Sequence, residues 1–274
     1  MPEGDTVYLA ATRMGRALEG SVLTKTDFRM PRIATADLSG RVVEEVVARG
    51  KHMLIRFEGD LTLHTHYKME GSWHLYRHGE RWRGPHHEVR ALLQTRDWVA
   101  VGFRLAICDL IPTSREDEVV GHLGPDPLGP DWDPDRALEN LSSDLDRPLG
   151  DVLLDQRVMA GPGNVYRCEI CFLSGVDPKS PVGAVPDLLR VVDLTKRLME
   201  ANRTTGRQIT TGDARPGFER WVYGRGGQPC RRCRTRISSD IQPAPGGERV
   251  TYWCPSCQPE VVSAGGEPGR ARFA

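Results

Sequence analysis

Four cysteines carry the strongest chemical signal in this 274-residue sequence: Cys230-x2-Cys233, then 20 intervening residues, then Cys254-Pro255-Ser256-Cys257. Two such pairs present four thiolates to one tetrahedral Zn²⁺, and with every coordination position filled by protein the metal is structural, not catalytic. The chain has seven cysteines, an odd count, and no basic-then-apolar leader at its N-terminus, so metal ligation is favoured over a disulfide framework. A further Cys168-Glu169-Ile170-Cys171 lies inside a helical pattern with no second pair nearby and reads as two buried thiols.

The opposite end offers a nucleophile. Met followed by Pro is normally processed, which leaves Pro2 as a free secondary amine that can attack an aldehydic sugar carbon and form a cationic iminium. An α-amino group has a pKa of about 8 against about 10.4 for lysine, so near neutral pH it supplies far more unprotonated amine. Glu3 stands beside it for proton transfer.

These groups need elements to hold them. Val7, Ala10, Ala11, Met14, Ala17 and Leu18 recur at helical spacing, with Asp5 as the expected N-cap and Gly20 as the stop. From Ser21 to Ile111 the pattern changes to short runs rich in β-branched residues: Val42 to Val47, Met53 to Phe57, Leu61 to His64, Val89 to Leu93 and Trp98 to Phe103. This half predicts a β-sandwich. The Pro- and Gly-dense stretch Leu123 to Asp131 reads as a linker, and helical patterns follow over Asp135 to Leu141, Leu149 to Val158, Asn164 to Leu173 and Asp187 to Glu200. Between the cysteine pairs, Ile237 to Gln242 and Arg249 to Trp253 predict a hairpin clipped by zinc, either a phosphate-contacting unit or a small interaction module. The Gly-rich tail to Ala274 has no apolar periodicity.

The formal net charge of zero hides two opposing fields. Glu116 to Asp146 holds ten acids against the single base Arg136, whereas Asn202 to Cys257 holds ten arginines against four acids. An acidic connector and a basic C-terminal unit fit a phosphate-bearing partner. No apolar run approaches a membrane span, so residence in the cytoplasm is expected; the protein is also expected to be a monomer.

In their order and spacing, Pro2-Glu3-Gly4-Asp5-Thr6-Val7, Arg49-Gly50-Lys51-His52, Gly161-Pro162-Gly163-Asn164 and the four-cysteine hairpin closely resemble the family of formamidopyrimidine-DNA glycosylase and endonuclease VIII. The resemblance spans residues 2 to 258, and the Pro-Glu-Gly opening followed by Asp-Thr-Val looks like the actinobacterial members of the endonuclease VIII branch. It implies an α+β multidomain chain. An N-terminal catalytic β-sandwich with its N-terminal helix would cover 2–112, a linker 113–134, a helix-two-turn-helix DNA-binding domain 135–227, a zinc-finger β-hairpin 228–258 and a disordered tail 259–274, with DNA in the cleft between the domains.

The resemblance also implies roles. Pro2 matches the Schiff-base nucleophile, Glu3 the proton donor for base loss and ring opening, and Lys51 the lysine of the β-elimination step. Arg249 matches the finger arginine of phosphate contact and δ-elimination, and Asn164 the asparagine that binds phosphate near the lesion. Taken singly, Lys51 reads as a solvated strand-edge lysine, Arg249 as a surface hairpin arginine and Asn164 as a helix N-cap, a place where phosphate also binds. Two positions depart from the pattern: Lys68 replaces a DNA-contacting glutamine, with Met69 beside it in the wedge position, and His122 replaces an arginine contact. Read alone, His66 to Gly71 is an ordinary hairpin tip.

The implied activity is a bifunctional DNA glycosylase and lyase of base excision repair acting on damaged DNA, duplex or single-stranded, with one structural Zn²⁺ and no catalytic metal. Oxidised pyrimidines are the expected substrates. A formamidopyrimidine-type enzyme for oxidised purines is the alternative within the class, and a non-catalytic zinc-finger DNA-binding protein the alternative outside it.

Overall fold

The computed structural model describes residues 2–242 and 247–260, so the expected tail over 259–274 lies, from 261 on, outside the described residues. The chain divides into two compact units, residues 1–132 with 199–207 and residues 133–198 with 208–274.

In the first unit, α1 (Gly4–Leu18) buries Val7, Ala11, Met14 and Leu18, one face at helical spacing. Its N-cap is Glu3, not the expected Asp5. The cap forms two residues earlier because Thr6 returns a bond to it: the Glu3 amide donates to the Thr6 hydroxyl (3.5 Å), and the Thr6 and Val7 amides donate to the Glu3 carbonyl (3.0 and 3.1 Å). The helix packs on β2 (Val43–Arg49) and β3 (His52–Phe57), which continue through β4 (Leu61–His66) to β8 (Ile107–Pro112) as one antiparallel sheet. The second antiparallel sheet runs β1 (Lys25–Phe28), β6 (Val89–Gln94), β7 (Val99–Phe103), β5 (Ser72–Tyr76). Alternating residues of both sheets, among them Met53, Ile55, Leu63, Ala91 and Leu93, meet α1 in one core, as a sandwich requires.

Two local expectations change. Residues 67–71 are no hairpin tip, because β4 and β5 belong to different sheets and the segment crosses between them. Its bend rests on Lys68 at φ +51°, whose amide donates to His66 Nδ1 (2.9 Å). The Pro- and Gly-rich stretch after α2 (Asp117–Val120) is no open chain either, since Asp126 within it is buried.

The second unit begins with α3 (Pro134–Leu141), capped by the Asp133 carboxylate on the Arg136 amide (2.9 Å). Next comes α4 (Leu149–Val152), shorter than its apolar pattern predicts. Beyond it, side chains take over the backbone's hydrogen bonds: Asp155 accepts the Arg157 amide (3.1 Å), and Gln156 binds the Gly161 amide and the Pro162 carbonyl (3.0 and 2.9 Å). Helix α5 (Asn164–Ser174) is buried through most of its length and ends on Gly175 at φ +73°. Helix α6 (Leu188–Asn202) follows, then the antiparallel hairpin β9 (Ser238–Gln242) and β10 (Arg249–Trp253). Among the described residues, no helix is long and apolar enough to cross a membrane.

Candidate active site and zinc centre

The expected site residues fall into two sets, one in each unit. In the first unit, Pro2 precedes α1 and lines a cavity of about 840 Å³ together with Thr6, Arg13, Tyr67, Ser72 and His74. Glu3 is fully buried at the start of the helix. The cavity reaches Tyr67 and Gly71, the two ends of the crossing segment that carries Lys68 and the half-exposed Met69. Gly71 has no room for a side chain, because a Cβ there would lie 2.7 Å from the Tyr67 carbonyl oxygen.

Lys51 sits in the two-residue turn between β2 and β3, where Arg49 pairs with His52 and Gly50 adopts φ +57°. Around it lies a group of imidazoles that sequence reasoning did not assemble. The His52 ring stacks on His64 at 5.0 Å, meets His66 edge-on at 4.7 Å and lies 6.4 Å from His122. Burial, then the charges of Lys68, Lys51 and His64, hold His66 at about 4. His52 is lowered further, by burial and by His66, His64, His122 and Lys68. The β-sheet register explains the grouping, since His52 opposes His66 and Leu54 opposes His64 across β3 and β4. The signal that could have found it is the alternation His64-x-His66 on a strand next to one beginning at His52.

In the second unit, Asn164 is the first residue of α5 and Gly163 its N-cap, so the asparagine side chain is released from capping. Its Nδ2 donates to the Val250 carbonyl (2.9 Å), one residue from Arg249, and its Oδ1 is buried with no protein partner. Asn164 and the beginning of β10 therefore stand together. Arg249 donates to the Glu248 carbonyl (2.9 Å).

The sulfurs of Cys230, Cys233, Cys254 and Cys257 all lie within 4.8 Å of one another. A tetrahedral zinc with bonds of about 2.3 Å needs sulfurs about 3.8 Å apart; Cys230 and Cys257 stand at 3.9 Å, Cys233 and Cys254 at 3.4 Å. The set fits the metal. Hydrogen bonds from the Thr235 hydroxyl and amide already draw Cys233 down to about 6, toward the thiolate that zinc binds. Cys168 and Cys171 are fully buried in α5, and burial raises Cys168 to about 11, as inert thiols require.

Sequence reasoning also missed Glu169. Fully buried in α5, it accepts the amides of Trp221, Val222 and Tyr223 at 2.8, 2.9 and 2.8 Å as well as the Thr210 hydroxyl. An acid on a helix buried on nearly every side gives no periodic sign of its inward position.

Comparison with known proteins agrees with this architecture along the chain. Residues 1–108 match the formamidopyrimidine-DNA glycosylase N-terminal domain, residues 123–209 its H2TH domain, and residues 227–259 the zinc finger found in FPG and IleRS. A probable endonuclease 8 2 of Streptomyces coelicolor is 53% identical over 94% of each chain. A DNA-(apurinic or apyrimidinic site) lyase of Mycolicibacterium smegmatis is 51% identical over 94% of this chain and 99% of its own. The Lactococcus lactis formamidopyrimidine-DNA glycosylase bound to DNA containing an AP site shares the fold, with a TM-score of 0.78 at 21% identity over 94% of this chain and all of its own. With domains in the same order and relatives of this identity over nearly its whole length, the chain belongs to the formamidopyrimidine-DNA glycosylase and endonuclease VIII family, in the actinobacterial type of the endonuclease VIII branch.

Proposed function

We propose that this protein is a DNA glycosylase and AP lyase of base excision repair that removes oxidised bases, chiefly pyrimidines, and cuts the strand by β- and δ-elimination. The observation that carries the reading is Pro2 at the wall of a cavity of about 840 Å³. Its volume falls within the range of ligand pockets, roughly 300 to 1,000 Å³. A damaged nucleotide turned out of the helix costs a few kcal/mol, least where the base stacks or pairs badly.

In this reading the Pro2 nitrogen attacks C1′ as the C1′–base bond breaks, with Glu3 supplying the proton for base loss and ring opening. The resulting iminium acidifies the C2′ proton, whose removal expels the 3′ phosphate, and a second elimination expels the 5′ phosphate. Lys51 serves the first elimination. Arg249 binds phosphate and serves the second, and Asn164 binds phosphate near the lesion. Lys68 and His122 stand at positions that contact DNA in the family, and Met69 fills the stack left by the flipped base. When bound, zinc would hold the hairpin that carries Arg249. The protein acts as a monomer on duplex or single-stranded DNA within the cytoplasm.

The test is covalent. Incubation with abasic DNA and borohydride is expected to trap an adduct on the N-terminal peptide, and adding a residue ahead of Pro2, or Pro2→Gly, should largely abolish it. An adduct mapped to Lys51 would overturn the nucleophile assignment. Failure to nick abasic DNA at all would favour a non-catalytic zinc-finger DNA-binding protein.

A further inference from the structure

Lys51 is one residue past Gly50, and that glycine amide has an unusual partner. It donates at 2.6 Å to Oδ2 of Asp126, which comes from 76 residues further along the chain and is only 3% exposed. The other carboxylate oxygen, Oδ1, accepts the Leu128 amide at 2.8 Å, and the Asp126 carbonyl accepts the Gly129 amide at 2.9 Å. The loop is thereby folded tightly on itself before it touches the turn. Arg49, on the other side of Gly50, completes the clamp by donating to the Gly124 carbonyl (3.1 Å) and to Asp131 Oδ1 (2.8 Å).

The turn holds Gly50 at positive φ, and the Lys51 side chain moves with the backbone of that turn. A displacement of about 1 Å at a reacting group can cost about 100-fold in rate. A buried carboxylate that spends both oxygens on backbone amides is a strong, directional restraint.

We infer that the 124–131 segment, through Asp126, is a positioning device for Lys51 and acts on the elimination step, not on attack by Pro2. The inference rests on the reading of Lys51 given above. Asp126 is buried and its carboxylate oxygens are taken up by the Gly50 and Leu128 amides, so its effect on the reaction is expected to pass through the turn that carries the lysine.

The experiment is a kinetic double-mutant cycle on the full-length zinc-loaded protein. Asp126→Asn keeps size but offers one acceptor oxygen for two amides. It is expected to lower the thermal midpoint, since one buried amide then faces an NH₂, and to slow strand cleavage at a preformed abasic site at least about tenfold at a temperature where both proteins are folded, with borohydride trapping close to that of the parent protein. On a Lys51→Ala background the same change should alter the cleavage rate less than about twofold, because the group being positioned is gone. Arg49→Gln, which removes the other arm of the clamp, should show the same selective and Lys51-dependent defect, and it decides the matter if Asp126→Asn does not fold. A full tenfold loss retained on the Lys51→Ala background, or wild-type cleavage by Asp126→Asn, would overturn the inference. Failure of the unaltered protein to cleave abasic DNA would instead sink the proposed function.

Discussion

His52 Nδ1 lies 2.8 Å from His64 Nε2, an imidazole pair in which one nitrogen must donate and the other accept. His64 Nδ1 is buried with no partner. A buried unpaired acceptor is more readily tolerated than a buried unpaired N–H, so the network places the proton on His64 Nε2 and leaves His52 protonated on Nε2. The pair is neutral, and so is His66 beside it.

That neutrality makes the first unit acid-sensitive. The folded pKa of His66 is depressed, mainly by burial, to about 4, whereas the unfolded chain titrates near 6.5. Below about pH 6.5 the unfolded state binds more protons, so stability is complete above that pH and is lost as pH falls toward 4, at about 1.4 kcal/mol per pH unit for each such histidine. Thermal midpoints measured between pH 7 and 5 should therefore fall steadily. His66→Asn, whose Oδ1 can stand in for Nδ1 as acceptor for the Lys68 amide, should give a shallower slope by about one proton. Equal slopes for the two proteins would rule the histidine out as the cause.

Glu169 gives a prediction about a single carboxylate. Oε1 takes the Val222 and Tyr223 amides and Oε2 takes the Trp221 amide and the Thr210 hydroxyl, so a glutamine in either orientation turns an NH₂ toward donors. Hydrogen bonds to a charged group are worth roughly 1.5 to 3 kcal/mol each. Glu169→Gln should speed amide hydrogen exchange at 221–223 by at least about tenfold, which is about 1.4 kcal/mol of local stability, while exchange in β3 and β4 is unchanged. Unaltered exchange at 221–223 would show that the carboxylate is not what holds the segment.

The zinc centre can be tested through Cys254, fully buried in a cluster with Cys168, Phe172, Val222 and Ile237. Its amide donates to Gln258 Oε1 (2.8 Å), and Gln258 Nε2 donates to the Val176 carbonyl (2.9 Å), so metal and hairpin are tied to the end of α5. Cys254→Ser should lose both the metal and DNA binding while the β-sandwich stays folded by circular dichroism. Metal analysis without zinc in the parent protein, or full nicking after the metal is stripped, would contradict this.

What could be read from the chain, and what could not, follows from the range of the interactions. The sandwich strands show in the chain as short local runs rich in β-branched residues, and the zinc ligands as a spacing. The Asp126 contact with Gly50 and the Glu169 contacts with 221–223 join residues 76 and 52 to 54 apart, and no local pattern marks either acid as buried. Acids favour the cap position, which points to Asp5; the reciprocal bond with Thr6 places the cap at Glu3 instead. Pro and Gly punctuate loops, so the segment 123–131 reads as a linker, yet the same residues allow the tight fold that brings Asp126 to the Lys51 turn.

Substrate choice is where the features of the chain disagree. Met69, half exposed on the crossing segment, resembles the wedge of the formamidopyrimidine branch and points toward purines. The Pro2-Glu3-Gly4 opening points toward pyrimidines, and so does the stretch after Gly206. The stretch from Gly206 to Tyr223 is short in the sequence, as expected of a chain without a long lesion-capping loop, and the amides of Thr210 and Thr211 both donate to the Glu219 carbonyl (2.8 and 3.2 Å). The wedge carries less weight, because it fills the hole left by any flipped base, whereas pocket walls contact the base itself. Thymine glycol and 5-hydroxyuracil should therefore be cut at least about tenfold faster than 8-oxoguanine opposite cytosine under single-turnover conditions, which is about 1.4 kcal/mol of transition-state discrimination. Met69→Ala should slow all three lesions to a similar extent, since it removes stack filling common to each. Faster cutting of 8-oxoguanine would assign the pocket to oxidised purines, and a loss confined to one lesion would make Met69 a reader of the base instead of a wedge.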